Sequence, residues 1–396
     1  MQAIVVTFDR LATRLIGCYG NEWIETPHLD RLAATSTVFD NHFTDSVGSK
    51  AGQAWFTGRL AHSPSLSSPS TNGLPFLRQW GVTTELVIAA SSRLTSRESA
   101  GFDRVAETPG EDGLEVDPKE VPIARLIQAG ISLLREPAAD GNRLVWLHAP
   151  EPGLPPEGFA TLYFEDFEER ELPMTDVPRE AWPQELAVAA GSLSLVDHWI
   201  GELISQIRLL DQPTLLVITA ARGQSWMNGY FAAEPSVRTS SPADLLRDQE
   251  VKTPLILSVH GAGEQFADFS GLRCPHFVQT TDLIPTLFDW FGVTRPSELA
   301  GVSLLKEAVS VQSTRREIQV SDDDRNLGIR TPEWHCLVRL ADANGEIPEN
   351  VCFGDAAWPE QVQLFSKPED IWDVTDVSTQ QPEVCESLVR RFSRPL

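Results

Sequence analysis

Two short clusters of charged and small residues follow apolar runs: Asp9-Arg10 after Ala3–Phe8, and Ala221-Arg222-Gly223 after Thr214–Thr219. A carboxylate such as Asp9 is the ligand type that a hard cation takes. A guanidinium such as Arg10 or Arg222 instead matches sulfate, phosphate or carboxylate through its planar fork of donors. One carboxylate against two guanidinia leaves surplus positive charge, which favours an anion. Other candidates have simpler readings. Asp322-Asp323-Asp324 lacks the turn glycine and the bidentate Glu of a calcium loop. Asp282 follows two threonines and reads as a helix cap. Asp197 and His198 read as surface or packing groups. The five cysteines, Cys18, Cys274, Cys336, Cys352 and Cys385, are odd in number and include no CxxC, which indicates neither a zinc ribbon nor a disulfide framework. Cys18 and Cys274 read as small core residues.

Position gives those charged pairs their interest. Ala3–Phe8, Glu85–Ala89, Arg143–His148, Thr214–Thr219 and Pro254–Val259 are short apolar runs rich in β-branched residues and read as buried strands. Segments of helical period alternate with them. Thr26–Ala33 opens with a Thr cap and Pro27 at the first helical position. Pro122–Arg135 sets Ile123, Leu126, Ile127, Ile131 and Leu134 on one stripe, and Glu185–Leu210 does so with Leu186, Ala190, Leu193, Val196, Ile200, Leu203 and Ile207. Thr281–Phe291 stops at Gly292. Such alternation predicts an α/β fold, a mostly parallel sheet sandwiched by helices, with ligands at the carboxyl ends of the strands. Past residue 310 the pattern changes. Arg316–Ser321, Glu333–Leu340 and Val362–Phe365 read as strands of a separate small sheet, and Pro382–Phe392 as a closing helix. Two domains are expected, 1–310 and a small C-terminal α+β subdomain at 311–396. Pro150–Gln184, rich in Pro and Glu, reads as a surface insertion.

Composition narrows the partners. The 396 residues include 41% hydrophobic and 22% charged side chains, ordinary for a globular protein, and carry a formal net charge of −24. That charge argues against nucleic acid or an anionic membrane as partner. Its local concentrations, Glu165–Glu171 and Asp322–Asp324, read as solvated surface. No apolar stretch reaches membrane-spanning length, and the opening residues lack the basic flank and cleavage site of a signal peptide, so a cytoplasmic location is expected.

Several segments in collinear order carry a family resemblance. Ile4–Asp9, Leu15-Ile16-Gly17-Cys18-Tyr19-Gly20-Asn21 and Thr26–Ala33 closely resemble the start of a sulfatase, a member of the alkaline-phosphatase superfamily. Thr57-Gly58-Arg59 is similar to the end of that family's nucleophile helix, Leu193–Gly201 to its long helix, and Thr214–Gly223 to the strand before its second metal-binding turn. Lys252–Ile256, Thr281–Leu287 and Val362–Val374 complete the set. The resemblance implies sulfate-ester hydrolysis by a formylglycine nucleophile, made from Cys or Ser in a Cys/Ser-x-Pro-x-Arg motif, with a divalent cation, usually calcium. The cation would polarise the sulfate and lower the nucleophile's pKa.

At the positions the resemblance assigns, the catalytic residues are missing. The nucleophile position falls on Gly48 within Gly48-Ser49-Lys50-Ala51-Gly52, and a shift to Ser49 still leaves Ala51 and Gln53 where Pro and Arg belong. The first metal turn is Asp9-Arg10 rather than Asp-Asp, and the second is Ala221-Arg222-Gly223 rather than Asp-His-Gly or Asp-Asn-Gly. Pro150-Glu151 stands for the family's Pro-His, His148 is out of register for that role, and the catalytic Lys before the Pro254 strand has no counterpart. The expectation is a pseudo-sulfatase without cofactor, in which Arg222, with Arg10, pairs with Asp9 where the metal would sit; this is either a plain salt bridge that keeps the old cavity folded or, with Arg10, Lys50 and Arg222 as candidates, an anion site. Its partner would be a protein or a small sulfated or phosphorylated ligand. The alternative is an active sulfuric ester hydrolase with an atypical centre, which would need calcium. A third reading is a structural or regulatory subunit that makes contact through Pro150–Gln184.

Overall fold

A computed structural model of the chain describes residues 1–61, 73–89, 92–94, 99, 101–136, 141–163, 182–224, 246–261, 269–296, 299, 301–322, 326–340, 359 and 361–393. Eight strands form the main sheet: β1 (Gln2–Arg10), β2 (Thr37–Phe43), β3 (Val82–Ala89), β4 (Arg104–Thr108), β5 (Asn142–Ala149), β6 (Thr214–Arg222), β7 (Leu255–His260) and β8 (Leu272–Gln279). Their order is β4-β3-β5-β1-β6-β7-β2-β8, and β7 alone runs against the others. The five strands expected from the sequence are all present, and the central β1 carries a run that is apolar on both faces because helices cover both.

Alternation along the strands divides the core in two. Ile4, Val6 and Phe8 of β1 join Val145, Leu147 and Ala149 of β5 and Leu216, Ile218 and Ala220 of β6 on one face. Helices α3 (Pro122–Arg135) and α4 (Trp182–Ile207) cover that face with Ile123, Leu126, Ile127, Ala187, Leu193, Ile200 and Leu203. The stripes are close to those expected, although Ile131 and Leu186 are only half-buried. On the other face Ala3, Val5, Leu144, Trp146, Leu215 and Val217 meet the short α2 (Gly73–Gln79) and α5 (Leu283–Trp290).

Helix α1 (Pro27–Ala33) is capped differently from the expectation. The Thr26 hydroxyl accepts from Gly17 N and faces Asp30, so it does not cap. The capping carboxylate comes from α4: Asp197 accepts from the backbone N–H groups of His28 and Leu29, at 3.1 and 2.7 Å. Asp197 is therefore a buried structural group and not a surface one. Asp282 does act at a helix start, as the third residue of a capping box with Gln279.

Strands β9 (Ile318–Ser321), β10 (Asn326–Arg330), β11 (Trp334–Arg339) and β12 (Gln361–Ser366) form a separate antiparallel sheet, order β12-β11-β10-β9, covered by α6 (Pro382–Val389). It docks through Ile318, Val320, Leu337 and Phe365 against Phe43, Val47, Leu246 and Phe277. Backbone bonds from Val47 N to Ser321 O and from Ser321 N to Asp45 O, 3.0 and 3.1 Å, fix the chain as it leaves β2. Cys274, Cys336 and Cys385 are buried and Cys18 half-buried, none of them in a disulfide. Asp323, Asp324, Cys352 and most of the Pro150–Gln184 stretch lie outside the described residues. Among the described residues, no helix is long and apolar enough to cross a membrane.

Candidate functional site

Three parallel strands end side by side and decide what faces the site. Thr7 stands opposite His148 on one side and Thr219 on the other, and Arg10 is in register with Arg222. Period-two alternation sends Asp9, His148 and Ala221 to the face of Trp146, while Arg10 and Arg222 leave the sheet beside each other at its edge. The loop after β2 closes over these ends. A cavity of about 520 Å³ results, lined by Asp9, Arg10, Gly48, Trp55, Arg93, His148 and Arg222, with Val47, Ser49, Ala51, Gly52, Phe56, Leu94 and Ala221 completing it.

The loop must come close. Gly52 has φ +84°, and a Cβ there would stand 2.9 Å from the Trp55 ring. Gly223 is tighter still, since a Cβ would sit 2.1 Å from the Gln249 carbonyl oxygen. These two glycines let the backbone pass beside the strand ends.

The charges do not pair as expected. Asp9 Oδ1 lies 3.1 Å from His148 Nε2, and its Oδ2 accepts from the Arg93 backbone N–H at 2.9 Å. Arg222 and Asp9 form no ion pair; Arg222 donates to the Gly48 carbonyl oxygen at 3.2 Å. Arg10 lies 3.5 Å from both Glu250 and Glu151, so its nearest carboxylates are these and not Asp9. The Asp9–Arg222 pair fails because β5 supplies His148 as a closer neighbour to Asp9. Lys50 is not among the lining residues, and its ammonium donates to Ala61 O at 3.1 Å, pointing away along the loop.

His148 is oriented from behind. Its Nδ1 is 2.8 Å from the Thr7 hydroxyl, which also accepts from Trp146 Nε1 at 2.9 Å. With the Thr7 proton given to Nδ1, the Nε2–H of a neutral ring donates to Asp9. Both ring nitrogens are thereby engaged away from Ser49. Burial, with Arg10 and Arg93 acting in the same direction, pushes the Arg222 guanidinium down to about 10. Two donors on lining residues, Arg10 Nε and Trp55 Nε1, are buried without a hydrogen-bond partner among the described residues.

Asp9, Arg10, Gly48, Ser49, Ala221 and Arg222, singled out from sequence, thus meet at one cavity, and Lys50 stays outside it. Sequence reasoning missed Arg93, which sits in an unremarkable Ser92-Arg93-Leu94 after β3. It also set His148 aside, although the Thr7–His148 register brings that ring beside Asp9. The residues do not suit the calcium that the resemblance implies. Asp9 already accepts on both oxygens, Ala221 has no donor atom, and two guanidinia would repel a dication. Among the described residues, no three of His, Cys, Asp and Glu gather where they could hold a metal ion.

Comparison with known proteins agrees with this architecture. The chain is similar in fold to a protein solved in complex with its substrate D-glucosamine-2-N,6-O-disulfate, at 15% identity and TM-score 0.69, over 99% of this chain and 97% of that one. It is also similar to the phosphonate monoester hydrolase SpPMH from Silicibacter pomeroyi, at 17% identity and TM-score 0.72, over 98% and 94% of the two chains. The phosphonate monoester hydrolase of Agrobacterium radiobacter gives 15% identity and TM-score 0.69, over 98% and 94%. No curated protein sequence matches. The model of the family described as Sulfatase matches residues 2–293, well over half of the chain, and the chain belongs to the sulfatase family.

Proposed function

We propose that this sulfatase-family chain is a catalytically inactive pseudo-sulfatase whose strand-end site holds an oxyanion directly, without a metal. One observation carries the reading: three guanidinia, Arg10, Arg93 and Arg222, converge on a single cavity in which Asp9 is the one carboxylate among the described lining residues. Arginine binds sulfate and phosphate through paired donors, and a partly buried cavity strengthens each contact. Trp55 Nε1, buried without a hydrogen-bond partner among the described residues, supplies a further donor to an acceptor-rich ligand. Two features support inactivity: the resemblance puts the nucleophile position on Gly48, and His148 is engaged by Asp9 and Thr7. The ligand class is a small sulfated or phosphorylated molecule or an anionic group on a protein partner.

Hydrolysis of a chromogenic aryl sulfate with added calcium tests inactivity. No turnover above a heat-denatured control is expected. Turnover abolished by Ser49→Ala would establish an active hydrolase with an atypical centre.

A further inference from the structure

Resting on the anion reading above, we infer that Asp9 makes the cavity selective for an oxyanion that carries its own proton, hydrogen phosphate in preference to sulfate. The cavity mixes signs in a particular way. Arg10, Arg93 and Arg222 can only donate, and Asp9 faces the same space as an acceptor. Both Asp9 oxygens already accept one hydrogen bond, from His148 and from the Arg93 backbone N–H, a pattern suited to the ionised carboxylate. Each oxygen keeps a further lone pair, and the side chain retains 12% exposure toward the cavity.

A ligand seated among the guanidinia must therefore also face a negative charge that two donors hold in place. Sulfate has four acceptor oxygens and no proton, so its approach to Asp9 is repulsive. Hydrogen phosphate carries the same charge of about −2 near pH 8 but keeps one P–OH. That hydroxyl donates to Asp9 while the other three oxygens accept from the arginines. A charge-assisted O–H···O⁻ bond replaces a like-charge contact. The same logic extends to phosphate monoesters in their singly protonated form. Sulfate monoesters, whose one acidic group is ionised near neutral pH, do not carry that proton.

The test is isothermal titration of the full chain near pH 8 with inorganic phosphate and with inorganic sulfate, in buffer containing EDTA, repeated on Asp9→Asn. The wild-type protein is expected to bind phosphate about tenfold or more tightly than sulfate. In Asp9→Asn, whose amide offers a donor, sulfate binding should strengthen and the ratio should collapse toward one or invert. Equal wild-type affinities, or a ratio that Asp9→Asn leaves unchanged, would overturn the selectivity while leaving an anion site standing. Binding of neither anion would overturn the anion reading itself, and the selectivity with it. The wild-type comparison holds even if the variant folds poorly.

Discussion

Three arginines sharing one cavity is an expensive arrangement to keep, and it stands out in a chain of formal charge −24. Burial and the two neighbouring guanidinia all press the Arg222 pKa down, and a bound oxyanion would reverse the repulsive part. Asp9, Arg10 and Arg222 were legible because strand-end turns are where α/β folds place ligands. Arg93 was not, since its segment bears no motif and reaches the site only through tertiary packing. A second buried ring gives a residue-scale prediction. His42 of β2 accepts from or donates to Thr253 Oγ1 at 2.7 Å, and burial pushes its pKa down to about 4. The unfolded chain, with histidine near 6.5, takes up a proton that the folded state refuses, so its contribution is complete above that pH and lost as pH falls toward 4. The loss is on the order of 3 kcal/mol, read as a falling thermal midpoint from pH 6.5 to 4. In His42→Gln that slope should flatten over the same window.

Among the elements, the strands legible from sequence were the central ones, whose two buried faces give continuous apolar runs. Strands β2, β4, β8 and β10 escaped because their patterns are broken: Asp40 and Asn41 in β2, four exposed residues in β4, Pro275 in the edge strand β8, and Gly328 in β10. Pro at a sheet edge costs no ladder bond, which is why β8 tolerates it. The cap of α1 was equally hidden, since its carboxylate lies 169 residues further along the chain. Asp197→Ala removes an acceptor shared by His28 N, Leu29 N and His28 Nδ1. A loss of about 2 kcal/mol is expected in chemical denaturation. Asp197→Asn, which keeps one acceptor oxygen, should lose about half as much.

For the whole molecule, the small sheet holds the site as well as closing the fold. Asp282, fully buried, takes a forked ion pair from Arg315 across the join, with Arg315 Nη2 2.7 Å from Oδ1. The chain from Asp45 to Val47, which leads into the Gly48 loop, is tied to Ser321 of β9. Arg315→Ala leaves a buried carboxylate without its counter-charge and is expected to cost about 3 kcal/mol. Weaker docking should loosen the loop as well, so hydrogen exchange should rise at 45–52 along with 318–321. Exchange that rises only around residue 315 would mean that the two units do not share the site. Calcium should leave the thermal midpoint unchanged, since the described residues at the strand ends offer it no ligand set.

The most direct measurement is isothermal titration of phosphate into the wild-type protein and into Arg222→Ala, both in EDTA. The Arg222 side chain makes one hydrogen bond among the described residues, to Gly48 O, so its removal should spare the fold while deleting a cation from the cavity. The account predicts binding that needs no metal and weakens about tenfold or more in the variant. Binding that appears only with calcium, or that Arg222→Ala leaves unchanged, would contradict it.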